Sequence, residues 1–280
     1  LTENKNRKKE IELKAHPTAQ IHPNARMSKD VEIGAYSVIG PNVSISSGTR
    51  IHDHVTIIRN VTLGKDNEVF PYAVLGGAPQ DIRFKRGDTT VKIGDGNVIR
   101  EFVTIHRGTT KGTGRTVIGN SNYLMAYSHV AHDCELKDNI ILSNGVQLGG
   151  HVRVEDCANL GGLAAVHHFV TVGRLSFVGG LTRIVRDVPP FMTVEGNPAK
   201  VRCVNVVGCR RAGLAKDAIS ALKEAYKLLF RSDIPFQDAV KELMWAYREL
   251  KEIKYLLRFL KKTASGRQGR AREALRREYA

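Results

Sequence analysis

From Ile118 to Ile184 an aliphatic residue returns at every sixth position without a slip, through Leu124, Val130, Leu136, Leu142, Leu148, Val154, Leu160, Val166, Val172 and Val178. The same step governs Ile21, Met27, Ile33, Ile39, Ile45, Ile51, Ile57, Leu63, Val69 and Leu75. A period of six suits neither an amphipathic helix nor an alternating strand. It predicts a mainly β solenoid of very short parallel strands, in which each apolar marker is buried only when coils stack. Three hexapeptides make a triangular coil of eighteen residues, so positions eighteen apart lie above one another at about 4.8 Å.

Two stretches break the register. Gly76–Asp88 is polar and marked by Gly and Pro, so it is expected to loop out of the prism. Between Ile105 and Ile118 the spacing is thirteen, one hexapeptide plus seven residues drawn from Arg107–Arg115. If the seven loop out, Ile105 shares a face with Val130, and His106 joins the edge beyond it. Loops on a rigid scaffold are where function concentrates. Gly34, Gly40 and Gly64 directly follow markers and are expected to serve corners with unusual backbone angles.

After Asp187-Val-Pro-Pro and Gly196-Asn-Pro the period changes. Ile219, Leu222, Tyr226 and Leu229 form one helical stripe. Phe236, Val240, Leu243, Met244 and Tyr247, continued by Leu250, Ile253, Leu257 and Leu260, form a second. The expected organisation is a loose basic arm over 1–15, the repeat prism over 16–200, a helical cap over 201–262 and a disordered basic tail over 263–280.

Composition narrows the setting. The net charge is +15, and residues 210–280 carry 18 Lys/Arg against 9 Asp/Glu, which favours an anionic partner near the cap. Aromatic residues are only 6%, as a thin aliphatic prism allows. Cys134, Cys157, Cys203 and Cys209 form no Cys-x-x-Cys pair and read as reduced, buried small residues. No run is long and apolar enough for a membrane span, and no secretory leader opens the chain, so a cytoplasmic protein without stable membrane insertion is expected.

One column is chemically unusual. The residues after Val130, Leu148 and Val166 are Ala131-His132-Asp133, Gly149-Gly150-His151 and His167-His168, so imidazoles gather on one edge. Packing explains this poorly, because a buried imidazole is costly unless its nitrogens are satisfied. His132, followed by a carboxylate that can orient it, is the candidate general base. Gly150, one coil above, can offer its N–H to an oxyanion. The His-x4-His pair that holds zinc in γ-class carbonic anhydrases is absent, and neither a metal nor another cofactor is expected.

Thr104-Ile-His-Arg-Gly-Thr109, His129-Val-Ala-His-Asp-Cys134, Leu148-Gly-Gly-His151, Ala165-Val-His-His-Phe169 and Arg186-Asp-Val-Pro-Pro190 resemble the acyl-carrier-protein-dependent UDP-N-acetylglucosamine O-acyltransferases of lipid A synthesis. The resemblance runs from about His16 to Leu260. It implies a left-handed parallel β-helix with a C-terminal helical domain, forming a homotrimer whose active sites lie between neighbouring prisms. It further implies His132 as general base, Asp133 as its partner and Gly150 at the oxyanion. Asp81 and Arg83 match sugar contacts, and His106, His129, His151 and His167 match residues lining the substrate cleft. Asn205 and Arg211 match nucleotide and phosphate contacts, and Gly180 matches a position that leaves room for a long acyl chain. The implied partners are acyl carrier protein and UDP-N-acetylglucosamine, with no nucleic acid. Arg83, His168, Val207 and Ala212 depart from the residues common in the family. The related N-acyltransferases of this pathway would carry a substantial extra N-terminal domain, whereas about 15 residues precede the repeat, so the oxygen acceptor is expected.

Overall fold

The computed structural model describes residues 14–272. Three sheets of short strands wind into a left-handed β-helix, with eleven strands in the first face, nine in the second and eight in the third. Pairing is parallel and one coil apart, as in Glu32 with Arg50, Val130 with Leu148 and Leu136 with Val154. The aliphatic markers form the core: Ile39, Ile57, Leu75, Ile105, Leu124, Leu142 and Leu160 are all at most 1% exposed. Each contributes roughly 1.5–3 kcal/mol by leaving water, and none could do so in an unstacked coil.

Both interruptions leave the prism at the same corner, between the second and third faces. The first separates Val74–Gly77 from Thr90–Ile93, and the second separates Thr104–His106 from Arg115–Ile118. Register resumes after each one. Ile105 pairs with Val130, so the seven extra residues are absorbed entirely outside the sheet. A buried asparagine ladder runs up another corner through these coils. Asn97 donates to Asn67 at 2.9 Å, Asn122 donates to Asn97 at 3.0 Å, and Asn122 Oδ1 accepts the Ile140 N–H. These amides satisfy one another and the backbone where an unpaired polar group would be costly.

The glycines at 34, 40 and 64 do not take unusual angles, contrary to expectation; none of them has positive φ. They are required by close approach. A Cβ on Gly40 would stand 1.8 Å from the Ile58 carbonyl oxygen, and one on Gly34 or Gly64 would meet the coil above at 2.3 or 2.1 Å. The left-handed corner positions instead carry side chains, including Tyr36, His54, Tyr72, Phe102 and Tyr127, with φ between 57° and 65°. Their rings stack in an exposed ladder along the corner between the first and second faces, at centroid separations of 5.2, 5.1, 5.0 and 4.8 Å. Leu163 and Leu181, largely exposed, continue the same column.

The last coil is closed by Met192–Glu195, on which Lys200–Val204 folds back antiparallel, so the expected boundary at residue 200 falls at the start of a strand. Four helices follow: α1 (Val206–Arg211), α2 (Lys216–Phe230), α3 (Phe236–Ala246) and α4 (Lys251–Ala264). The second sequence stripe is thus two helices, broken at Tyr247–Leu250, and Phe236 and Met244 of that stripe are exposed. Ile219, Leu222, Val240, Leu243, Ile253 and Leu257 pack with Leu175, Phe191 and Met192, which joins the cap to the prism.

Three further expectations are corrected. Cys203 is exposed and Cys157 is half-buried, so only Cys134 and Cys209 are the buried fillers foreseen. Of the arm at 1–15, Lys14–Ala15 is already a strand on Glu32–Ile33, and the rest lies outside the described residues. The tail segment 265–272 is packed rather than frayed: Gln268 donates to the Phe259 carbonyl and to Thr263, and Arg272 reaches the prism. Residues 273–280 lie outside the described residues.

Gly40→Ala is expected to destabilise the protein by roughly 1–3 kcal/mol, because the methyl must push two coils apart. Urea denaturation checks this, and an unchanged midpoint would mean that the coil spacing is adjustable there.

Candidate active site

His132 lies just past the strand His129–Val130, at the corner from which both insertions leave. Its Nδ1 lies 2.8 Å from Asp133 Oδ2. A carboxylate only accepts, so the proton of that bond sits on Nδ1 and the lone pair of the neutral ring is on Nε2. Asp133 is held as an anion. Thr109 donates its N–H at 3.1 Å and its hydroxyl at 2.7 Å to Oδ2, and the Thr113 N–H donates to Oδ1 at 2.8 Å. Burial alone would raise the Asp133 pKa, but the bonds from His132, Thr109 and Thr113 and the nearby His151 outweigh it and bring the value down to about 2. The seven-residue insertion is therefore a cradle for this carboxylate.

Gly150 sits directly above His132. A Cβ there would lie 2.5 Å from His132 Cε1 and 2.7 Å from Nε2, so any side chain would displace the imidazole. Its N–H makes no hydrogen bond among the described residues. Open corners of this solenoid commonly leave that amide unbonded. Its position beside Nε2 gives it chemical meaning.

His151 stands edge-on to His132 with ring centroids 5.2 Å apart, its Nε2 3.6 Å from Asp133 Oδ2. His106 and His129 meet edge to face at 4.9 Å, and His129 Nδ1 lies 2.7 Å from the Thr104 hydroxyl. His106 is buried beneath the first insertion, where Gly77 leaves space for its ring, and its Nδ1 has no hydrogen-bond partner among the described residues. Burial, followed by the neighbouring His129 and His132, pushes its pKa down to about 4. Burial lowers that of His129 as well.

An open cavity of about 420 Å³ joins these parts, lined by His129, His132, Gly150 and His167 together with Gln80, Gln147 and Arg183. The first insertion supplies Gln80. Next to it Asp81 accepts the Arg83 N–H and guanidinium, at 2.9 and 3.2 Å. Bonding to Arg83 holds the Asp81 pKa low, and His132 is near enough to add to the effect. Of the residues expected in the cleft, His106, His151, Asp81 and Arg83 stand behind or beside this lining rather than in it, and Asn205, Arg211 and Gly180 lie away from it. Asn205 caps α1, accepting from Gly208 N–H and donating to the Leu175 carbonyl, and it lines a separate cavity of about 510 Å³ with Val207 and Tyr226. Arg211 ends α1 on the surface. Gly180 lies on the far corner, beside Gly162.

Thr109, Thr113, Gln147 and Arg183 were not foreseen. Gln147 and Arg183 are outward neighbours of markers, one and three coils above His129, so the eighteen-residue spacing that finds the histidines also finds them. Nothing local marks the threonines, which meet Asp133 only through loop folding. His132, Asp133 and His151 could present ligand atoms to one metal ion, all within 4.8 Å. The Asp133 oxygens, however, already accept from Thr109 and Thr113 of the insertion and from His132.

Comparison with known proteins matches residues 115–150 to a bacterial transferase hexapeptide model of six repeats. Residues 187–269 match the second domain of UDP-N-acetylglucosamine O-acyltransferase. A Thermodesulfovibrio yellowstonii acyl-[acyl-carrier-protein]–UDP-N-acetylglucosamine O-acyltransferase is 43% identical over 251 residues, 90% of this chain and 97% of that one. The enzyme of the same name from Synechocystis is 50% identical over 181 residues, 65% of each chain. The crystal structure of a UDP-N-acetylglucosamine acyltransferase from Bacteroides fragilis superposes with a TM-score of 0.87 at 33% identity, covering 91% of this chain and 98% of that one. The fold and these matches thus define a hexapeptide-repeat acyltransferase. Within that class, the chain belongs to the acyl-[acyl-carrier-protein]–UDP-N-acetylglucosamine O-acyltransferases.

The buried His106 sets a pH dependence. Its folded pKa lies below the unfolded value of about 6.5, so its contribution to stability is full above that value and is lost as pH falls toward 4. Urea midpoints are expected to fall across this window, and His106→Gln to flatten the fall. An unaltered slope in the variant would show that His106 takes up its proton as easily folded as unfolded.

Proposed function

We propose that the chain transfers an (R)-3-hydroxyacyl group from acyl carrier protein to the 3-hydroxyl of UDP-N-acetylglucosamine, the first step of lipid A biosynthesis. The observation that carries the mechanism is the corner in which His132 Nδ1 is bound to Asp133 while Nε2 lies beside the unbonded N–H of Gly150. Nε2 takes the proton of the 3-hydroxyl as its oxygen attacks the thioester carbonyl. Gly150 N–H donates to the oxyanion that forms. The carbon–sulfur bond then breaks, and the imidazolium returns its proton to the departing carrier thiolate. No acyl-enzyme is required.

Asp133 stabilises the imidazolium and fixes its plane. Burial lowers the pKa of His106, to about 4, and that of His129, so neither the buried ring nor the one on the cavity wall repels the protonated base. Asp81 and Arg83 are suited to the sugar, and His151 and His167 to the cleft wall. Asn205, Arg211 and Gly180 stand apart from His132 within one chain, which supports a site completed by a neighbouring prism. A homotrimer is also supported by the exposed ladder from Tyr36 to Tyr127, whose continuous apolar edge suits burial against another copy. Among the described residues no helix is long and apolar enough to cross a membrane, in keeping with a cytoplasmic enzyme using a soluble carrier. The basic cap suits an acidic carrier.

His132→Ala is expected to lower transfer on the order of 10²-fold or more, and chelator to leave the wild-type rate unchanged. Loss of activity on chelation alone would replace the base with a metal site. Rising salt is expected to raise the Michaelis constant for the carrier more than that for the sugar nucleotide, since the carrier is steered by charge. A salt-independent carrier constant would remove the cap from that role.

A further inference from the structure

The tail segment after α4 reaches the His132 corner. Asp133, His151 and Phe169 occupy equivalent left-handed positions in three successive coils, with φ of 60°, 61° and 66°. Their backbones are tied upward: His151 N–H donates to the His132 carbonyl and Phe169 N–H to the Gly150 carbonyl, each at 3.0 Å. Their side chains are also coupled. The Phe169 ring lies flat on His151, with centroids 4.4 Å apart and planes within 1°, and His151 in turn meets His132 and Asp133. Arg272 reaches in from the tail. One terminal nitrogen donates to the His151 carbonyl at 3.1 Å and to the Phe169 carbonyl at 2.6 Å, and the guanidinium carbon lies 5.6 Å from the Phe169 ring.

The segment that delivers Arg272 is itself anchored. The half-buried Asp187 carboxylate accepts the Thr171 N–H of the prism and the Thr263 hydroxyl at the end of α4, at 2.9 and 3.0 Å. A Cβ on Gly269 would lie 2.1 Å from that carboxylate, so the chain passes tightly over it. Gln268 is bonded to Phe259 and Thr263, and Arg272 Nε to the Gly269 carbonyl. Asp187, Glu135 and Arg153 are the nearest charged groups around the guanidinium. A surface tail needs none of this. A strap that fixes a corner does.

We propose that Arg272 is a positioning residue: by bridging the carbonyls of His151 and Phe169 it clamps two stacked corners, and thereby sets the His151 ring against His132 and Asp133. It touches no reacting atom. Charged hydrogen bonds to two carbonyls hold both peptide planes together, and the planes carry the stacked rings. Removing the clamp lets the His151 and Phe169 corners rotate independently, and a base misplaced by a fraction of an ångström loses rate rather than affinity. The kinetic part rests on His132 being the base; the geometric part does not.

The full-length protein with ¹³Cε1-labelled histidine is compared as wild type, Arg272→Ala and Arg272→Lys, by histidine NMR, thermal melting, and kcat and KM for both substrates. In the folded alanine variant the His151 and His132 resonances are expected to move. Its kcat is expected to fall about tenfold with both KM values within about twofold. Lysine, which can still donate to both carbonyls, is expected to recover most of the rate. Wild-type resonances and kcat in folded Arg272→Ala would overturn the proposal, as would failure of both variants to fold, which would make Arg272 a structural residue only. If the wild type transfers no acyl group, the proposed reaction fails while the NMR comparison still decides the clamp.

Discussion

Each coil of this protein gives its backbone hydrogen bonds to the next, and that register governs everything else. A strand of two residues has no stability alone, so an error in one coil would expose every marker above it. Additions are therefore tolerated only at corners, where the chain can leave and return without disturbing the ladder. The twelve-residue offset of the first insertion and the seven of the second both vanish when pairing resumes, with Val69 on Ile99 and Ile105 on Val130. Because both depart from the same corner, the scaffold gains two loops over one place. The first covers His106 and brings Gln80 to the cavity, and the second encloses Asp133.

Those loops answer an electrostatic problem. The outer edge of a narrow prism is wet, and an imidazole there would be an ordinary base with a mobile partner. Covering the edge changes this. Asp133 leaves water without losing its charge, because amide and hydroxyl donors from the second insertion replace its hydration. His106 Nδ1 is given no such replacement, and burial lowers the pKa of both His106 and His129. One edge thus contains an imidazole with a charge-stabilising carboxylate beside others denied one, which sets His132 apart electrostatically from His106 and His129 although all are histidines.

The fold was legible because its information is periodic. Six-residue spacing gave the strands, eighteen-residue spacing gave the stacking of Val130, Leu148 and Val166, and the seven extra residues were countable before any coordinate. The same arithmetic placed His132, Gly150 and His151 together. What it could not supply was contact made by irregular backbone. Thr109 and Thr113 reach Asp133 through loop conformation, and the glycines at 34, 40 and 64 serve interlayer distance rather than corner angles, which composition cannot distinguish. The tail failed for a related reason. Ser265–Arg272 is rich in charge and glycine, the usual mark of disorder, yet a single carboxylate, Asp187, and two prism carbonyls suffice to hold it.

The adjacency of His132 and Asp133 follows from corner geometry as well. In a strand, neighbouring side chains point to opposite faces, and an acid–base pair must be gathered from separate elements. At φ 60° Asp133 turns the chain, so two consecutive residues face one another across 2.8 Å. The left-handed conformation costs roughly 1–2 kcal/mol for a residue with a side chain, and the hydrogen bonds made by Asp133 offset it. On the opposite corner the same conformation is occupied by Tyr36, His54, Tyr72, Phe102 and Tyr127, where ring stacking offsets the strain instead. His151 and Phe169 show both solutions in one column, stacked upon each other above the dyad. The repeat thus offers a strained, outward-facing position once per coil on each edge, and the side chains placed there decide whether that edge carries a ladder of stacked rings or a buried imidazole–carboxylate pair.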